Sequence, residues 1–143
     1  MIEALTENPF QMIALYVAIN ALILLCLSML VVRARVMTKT DIGDGGKSEM
    51  MRPLRAHANN AENIPVALLM LLIIYSLGGS VWLIHGVGAP LTVGRILHAI
   101  GLSRSAGTSP GRFIGMVLTW LAYIVGIVGC IWLAFASVAS PAS

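Results

Sequence analysis

The sequence predicts an all-α integral membrane protein, a bundle of four helices that cross the bilayer. Of its 143 residues, 58% are hydrophobic and 10% are charged, whereas average proteins carry about 25% charged residues. Long apolar segments occupy most of the chain, and a helix satisfies its own backbone hydrogen bonds in lipid. The basic residues lie on or near two connections between these segments, which agrees with a layout of four spans. We predict a single domain over residues 1–143.

The first span is predicted from about Pro9 to Val32, where Arg33 and Arg35 follow. A signal peptide would begin with basic residues and contain an apolar run of about 7–15 residues. Here Glu3 and Glu7 stand in the flank, and the apolar run is longer. We therefore expect a retained first span.

The second span is unusual because its apolar stretch, Ile64 to Leu77, has only 14 residues. About 20 helical residues are needed to cross a hydrocarbon core of about 30 Å. The helix must therefore begin earlier and carry Asn59 and Glu62 below the interface, with Arg55 at its edge. It is expected to stop at Gly78-Gly79.

The third and fourth spans are predicted from about Val81 to Leu102 and from about Phe113 to Ala136. Glycines inside the third span favour close approach of neighbouring helices. Cys26 and Cys130 lie in apolar segments. They are predicted to be small buried side chains that form neither a disulfide nor a metal site.

The basic residues also predict the orientation. All nine Lys and Arg lie on or near the connections between spans one and two and between spans three and four. These connections share one side of the membrane, and basic residues favour the cytoplasmic side. We expect both termini to be periplasmic and the membrane to be a bacterial inner membrane. The nine residues are Arg33, Arg35, Lys39, Lys47, Arg52, Arg55, Arg95, Arg104 and Arg112.

A stripe of polar residues leads into the second span. Its members are Arg52, Arg55, Asn59 and Glu62, which follow the spacing of one helix face. Ionisable groups at this depth are costly and by default indicate a functional site. Glu62 is interpreted as the partner of a ligand ammonium group or, alternatively, of an arginine on a neighbouring helix.

The other members of the stripe each allow two interpretations. Arg55 is predicted to hold a ligand carboxylate, because its planar guanidinium offers parallel donors. Arg52 is interpreted as a site residue or as a cation that reaches the interface. Asn59 is assigned to the site, although a hydrogen bond between helices would also explain it.

A second polar group is predicted at the same side of the membrane. Arg95 lies too deep in the third span for a simple anchor, so we assign it to the site. His98 is interpreted as an interfacial residue. Arg112 opens the fourth span, where a cation opposes the helix dipole. That position favours a functional role, although the charge bias of the loops also explains it.

No common nucleotide, zinc or redox motif occurs, and no metal is predicted. The formal net charge of +3 is explained by basic residues that anchor the spans at a membrane surface. Nucleic acid is therefore not an expected partner.

Two segments resemble the signatures of a known superfamily. Residues 55–62, Arg-Ala-His-Ala-Asn-Asn-Ala-Glu, precede an apolar run and resemble the helix-2 signature of the MAPEG proteins, the membrane-associated proteins in eicosanoid and glutathione metabolism. Residues 93–98, Val-Gly-Arg-Ile-Leu-His, resemble the helix-3 signature. The length and the spans also match, and the plainest relatives are short bacterial members similar to microsomal glutathione transferases.

The resemblance implies a homotrimer that binds glutathione between neighbouring subunits on the cytoplasmic side. The residues that match glutathione contacts are Arg55, Asn59, Glu62 and Arg95, and Arg52 extends this set. Arg112 falls near the arginine thought to stabilise the glutathione thiolate. A nearby cation lowers the pKa of a thiol and raises the fraction of the nucleophilic thiolate.

The sequence departs from parts of the superfamily at three positions. Ala58 stands where eicosanoid synthases often carry a cation, and Leu102 stands where many members carry a glutathione-contacting tyrosine. Phe113 follows Arg112, where prostaglandin synthases have a serine. These departures argue against prostaglandin isomerase chemistry.

The expected function is a membrane-bound glutathione transferase that acts on lipophilic electrophiles from the bilayer, and peroxidase activity is also compatible. Two alternatives remain open. A small transporter or channel subunit would line a polar path with Glu62 and Arg55, although the periplasmic half is almost free of charge. A non-catalytic assembly protein would use the same residues to pair helices.

Overall fold

Four long helices form the protein. The computed structural model describes residues 8–104, 107 and 109–139. Within them, α1 is Pro9–Thr38, α2 is Ser48–Ser76, α3 is Val81–Arg104 and α4 is Pro110–Ala139. All four are long and apolar enough to cross a membrane, and these described residues contain no strand. The predicted all-α membrane fold is confirmed. Glu3 and Glu7, used to argue for a retained span, lie outside the described residues.

The first helix is longer than predicted. It continues past Val32 to Thr38, because the arginines near its end do not interrupt it. Arg35 Nη1 donates to the carbonyl oxygens of Asp41 at 2.8 Å and Gly43 at 3.4 Å. Arg35, which was expected to follow the span, therefore belongs to the helix, and its side chain binds the loop between α1 and α2.

The other helix ends fit their sequences. α2 runs without a break through Pro53 and Pro65 to Ser76, so the polar stripe and the apolar stretch form one helix, as the short apolar run requires. α4 begins at Pro110 rather than at Phe113, because proline already has the φ angle of a first helical turn.

The apolar core lies in the half of the bundle away from the α1–α2 loop. It is built from the start of α1 and α3 and the end of α2 and α4. Its buried members include Ile13, Leu71, Ile74, Ile84, Val87, Leu91 and Ala122. A smaller buried cluster at the loop end comprises Leu27, Ala56, Ala99 and Leu102. The half of the bundle at the loop end is also the half in which the polar stripe of α2 begins.

Glycines bring α3 and α4 into close contact. A Cβ atom on Gly115 would lie 2.6 Å from the Gly94 carbonyl oxygen and 2.7 Å from the His98 backbone nitrogen. Only glycine permits this separation of the two backbones. The predicted role of the α3 glycines in helix packing is confirmed at Gly94.

Buried polar pairs join α1 to α3, and the sequence reasoning missed them. Asn20 Nδ2 donates to Thr92 Oγ1 at 2.9 Å. Nearer the α3 start, the Tyr16 hydroxyl and His85 Nδ1 are hydrogen-bonded at 2.8 Å. These hydrogen bonds provide partners for Asn20 Nδ2 and the Tyr16 hydroxyl, whose burial without a partner would be costly in lipid.

The two cysteines are free, which confirms the absence of a disulfide between them. Cys130 is half-buried, but Cys26 is exposed, so its predicted burial is wrong within this chain. α1 is apolar on every side, and an apolar residue in such a helix can face lipid as readily as the core.

Candidate functional site

Two adjoining cavities lie at the loop end of the bundle. The polar cavity has a volume of about 230 Å³ and lies between α2, α3 and the start of α4. The apolar cavity has a volume of about 550 Å³ and lies against α4. His98 and Arg112 line both of them. The polar cavity is lined by Ser48, Met51, Arg52, Arg55, Asn59, His98, Leu102 and Arg112.

The polar stripe of α2 divides into two pairs. Residues seven apart in a helix are separated by about two turns and point in nearly the same direction. Arg52 and Asn59 form the inner pair and are half-buried, whereas Arg55 and Glu62 form the outer pair and are exposed. The edge of the bundle therefore runs along the stripe, and the four side chains do not all face one cavity.

Asn59 links the polar cavity to Arg95. Arg95 Nη1 donates to Asn59 Oδ1 at 2.7 Å and to the Asn59 carbonyl oxygen at 3.3 Å. Arg95 Nη2 contacts the Met116 sulfur at 3.4 Å. Arg95 is fully buried and is absent from the lining of either cavity. In the single chain Arg95 holds Asn59 from behind. The structure therefore shows the alternative of a bond between helices, and the site role of the two residues stays a prediction.

Arg52 is half-buried in the wall of the polar cavity. Its Nε atom is buried and has no hydrogen-bond partner among the described residues. A buried guanidinium nitrogen is costly unless it is paired. This position favours the prediction of a site residue over that of a cation extended into the interface.

Arg112 stands where the two cavities meet. Its backbone nitrogen donates to Ser109 Oγ at 3.4 Å, and its Nη1 donates to the Gly107 carbonyl oxygen at 2.6 Å. The bond to Gly107 holds the guanidinium near the first turn of α4, and the bond to Ser109 caps the backbone of that turn. The side chain is half-buried, so a cation is fixed at a wall that polar and apolar ligands would share.

His98 is the site residue that the sequence reasoning missed. The expectation of an interfacial side chain is wrong, because His98 is only 4% exposed. The close approach of Gly94 and Gly115 encloses it between α3 and α4. Its Nδ1 atom is buried without a partner in the described part of the chain. The sequence feature that accounts for this burial is the pair Gly94 and Gly115. The two glycines lie on different helices, and the sequence does not show that they are in contact.

Glu62 lies outside the polar cavity of the single chain. It is exposed on α2, and it is not among the lining residues. The described residues provide no ion pair for it, so the alternative of a pair with an arginine of this chain is not realised there. An exposed carboxylate on a membrane helix needs a partner from outside the chain.

The apolar cavity opens at the outer surface of the bundle. Phe113 and Trp120 line it and are 73% and 59% exposed, and Met116 lies between them on α4. The arrangement provides neighbouring volumes for a charged molecule and an apolar one, with Arg112 between them. A metal site would require a cluster of His, Cys, Asp or Glu side chains, and the described residues form none.

Residues 13–132 match the model of the MAPEG family. The chain belongs to this family. It is similar to the Escherichia coli K12 protein named inner membrane protein YecN, with 34% identity over 119 residues that cover 83% of this chain and 89% of that protein. The same values hold for YecN of Escherichia coli O6:H1. No solved structure matches the chain significantly.

Membership of the MAPEG family confirms the resemblance carried by residues 55–62 and 93–98. With the four apolar helices, it establishes an integral membrane protein. The name of the relative states a location and no activity, so the function has to be inferred from the cavities.

Proposed function

We propose that this MAPEG protein is a glutathione transferase of the inner membrane that acts on lipophilic electrophiles. The observation that carries the proposal is the shared wall: a polar cavity with three arginines adjoins an apolar cavity at the outer surface of α4, and Arg112 lines both. A water-soluble thiol and a membrane-soluble electrophile need such a pair of neighbouring sites.

The polar cavity suits the charges of glutathione. The tripeptide carries two carboxylates, one ammonium group and one thiol. Arg52 and Arg55 are suited to the carboxylates, because a guanidinium binds them with two parallel hydrogen bonds. Asn59, held by Arg95, provides a fixed amide for the peptide groups. The cation of Arg112 would lower the pKa of the thiol and favour the thiolate.

The proposed reaction is nucleophilic substitution or addition at carbon. The thiol proton leaves to solvent, and the sulfur lone pair forms a carbon–sulfur bond. The bond from that carbon to a halide breaks, or an epoxide opens at its carbon–oxygen bond, and the departing atom keeps the electron pair. With an organic hydroperoxide, two glutathione molecules would give the disulfide, the alcohol and water.

A homotrimer is part of the proposal. Arg55 and Glu62 are exposed on the outer edge of α2, and Glu62 lies at hydrocarbon depth, where an unpaired carboxylate is costly. A second copy against this face would cover it and would bring Glu62 to the ammonium group of glutathione bound at the subunit boundary.

Isothermal titration of glutathione into the purified protein tests the proposal, together with a conjugation assay on a lipophilic aryl halide. We expect saturable binding and turnover. Arg55→Gln should weaken binding by roughly tenfold, because a hydrogen bond to a charged group contributes about 1.5–3 kcal/mol. Arg33→Gln is the matched control, since Arg33 is exposed and does not line the polar cavity.

The outcomes separate the candidate functions. Binding without turnover on aryl halides, epoxides and hydroperoxides would favour a non-catalytic binding protein. The absence of any glutathione binding to the wild-type protein would refute the proposed function.

A further inference from the structure

The polar cavity lies at the depth of lipid headgroups. A hydrocarbon core of about 30 Å takes up about 20 helical residues, which places its boundary on α2 near residue 57 when counted back from Ser76. Arg52 and Arg55 lie beyond that boundary, and Arg112 is in the first turn of α4 at the same end. The three arginines are therefore at the level of the phosphate groups of the surrounding leaflet.

The lining of this cavity is cationic and includes no carboxylate. Glu62 is exposed and stands outside it. Two further buried nitrogens, Arg52 Nε and His98 Nδ1, have no partner among the described residues. Arginine matches phosphate oxygens with its planar fork of donors. The cavity is thus suited to an anion with several oxygen atoms.

The apolar cavity continues from this point into the hydrocarbon. Phe113, Met116 and Trp120 line it, and their spacing of three and four residues places them on one face of α4. Trp120 lies about 12 Å deeper than Arg112 along the helix. The two cavities therefore present a charged region and an apolar region in the order in which a phospholipid presents its phosphate and its acyl chains.

We propose that the two cavities together bind one anionic phospholipid of the surrounding leaflet. Its phosphate lies among Arg52, Arg55 and Arg112, and one acyl chain lies along Phe113 and Trp120. A phosphatidylcholine headgroup fits less well, because its own cation meets the arginines. The lipid and glutathione would use the same arginines and therefore compete. This competition rests on the proposed function.

Direct binding is tested with brominated lipids, which quench nearby tryptophan fluorescence. The detergent-solubilised protein is titrated with phosphatidylglycerol and phosphatidylcholine that carry the same brominated chains. We expect phosphatidylglycerol to bind more tightly. The double variant Arg52→Gln/Arg55→Gln should lose this selectivity. Its affinity for phosphatidylglycerol should fall by about fivefold for each arginine removed. Trp120→Leu should remove the difference in quenching between the two lipids, while quenching of the exposed Trp82 and Trp132 remains.

Controls distinguish this site from general surface charge. Arg33→Gln removes an exposed cation at the same end of the bundle and should keep the selectivity, and circular dichroism checks that every variant is folded. Equal binding of the two lipids by the wild-type protein, or full selectivity in a folded double variant, would overturn the proposal. So would displacement of the lipid by inorganic phosphate at equal concentration, since the acyl chain would then contribute nothing.

Competition is tested by titration of glutathione into protein in nanodiscs of phosphatidylcholine, with and without phosphatidylglycerol. We expect a weaker apparent affinity when phosphatidylglycerol is present, both in the wild-type protein and in Arg33→Gln. Unchanged affinity would refute the competition and leave the proposed function intact. If glutathione does not bind even in pure phosphatidylcholine, the proposed function fails, while the lipid-binding result stands on its own data.

Discussion

At the residue scale, Arg112 has the position that matters most for a reaction. Its guanidinium lines both cavities and is held by the Gly107 carbonyl oxygen at 2.6 Å. A cation fixed in this way stabilises negative charge that develops at the boundary without having to reorganise. The proposed function would explain why a cation stands at a helix start, where it opposes the helix dipole.

Arg112→Ala is expected to raise the pKa of the bound thiol and to lower turnover, with a smaller effect on glutathione affinity. The reason is that a neighbouring cation favours the thiolate over the thiol. Ultraviolet absorbance of the thiolate, followed against pH in the glutathione complex, measures the shift. Arg33→Ala is the control for loss of a cation elsewhere. An unchanged thiol pKa in Arg112→Ala would remove this residue from the mechanism.

Glu62→Gln is expected to weaken glutathione binding while the oligomer stays intact. The amide keeps the volume of the side chain but loses the charge that the ligand ammonium group requires. The loss of one hydrogen bond to a charged group costs about 1.5–3 kcal/mol, which is roughly tenfold or more in affinity.

Two measurements on one preparation of the Glu62→Gln variant distinguish a loss of ligand binding from a loss of the oligomer. Light scattering after size exclusion reports the oligomer, and titration reports the affinity. If Glu62 instead pairs with an arginine across subunits, the variant leaves that arginine uncompensated and should lose stability. Normal glutathione binding by the variant would show that Glu62 is not a ligand residue.

At the scale of single helices, the close contact of α3 and α4 determines the shape of the site. It buries His98 and places Arg112 beside it, so the shared wall depends on two backbones that touch at Gly94 and Gly115. Neither helix contributes this wall alone. The geometry of the cavities is therefore sensitive to a Cβ atom added at Gly115, beside the His98 backbone.

Gly115→Ala is expected to lower the thermal stability and the glutathione affinity together. The new Cβ would meet the Gly94 carbonyl oxygen at 2.6 Å, and overpacking of this kind costs about 1–3 kcal/mol. Gly86→Ala is the matched control, because its Cβ would meet only a Val125 methyl group at 3.3 Å. Thermal unfolding in detergent compares them. Equal midpoints for the two variants would contradict the predicted packing.

The elements were predictable where local sequence decides them. The four apolar helices follow from hydropathy and length, and the early start of α2 follows from its short apolar run. The division of the polar stripe was not predictable, because spacing alone groups Arg55 and Glu62 with Arg52 and Asn59. Which part of a stripe faces inward depends on where the neighbouring helices lie. The burial of His98 depends in the same way on contacts distant in sequence.

At the scale of the whole molecule, the charge distribution predicts the orientation in the membrane. The α1–α2 loop is tied by Arg35 and Lys47, which donate to loop and helix-end oxygens. The site residues Arg52, Arg55 and Arg112 gather at the same end as this loop. An orientation with the basic residues inside would therefore place both cavities next to the cytoplasm, the side from which the proposed function requires glutathione to enter.

A reporter fused after Ser143 is expected to be periplasmic, and one inserted near Gly45 is expected to be cytoplasmic. The reason is the confinement of the nine basic residues to two connections and their preference for the cytoplasmic side. Paired phosphatase and fluorescent-protein fusions measure both positions. A periplasmic signal from the Gly45 insertion would reverse the layout and the proposed access to the site.

The wall shared by the two cavities also matters for chemical probes. A compound that joins an acidic, peptide-like head to an alkyl tail could occupy both volumes at once. Once the head is bound, a short flexible tether holds the tail at an effective concentration on the order of millimolar. Such a compound would bind more tightly than either fragment without any new contact. The tether length that gives the tightest binding would report the distance between the two cavities.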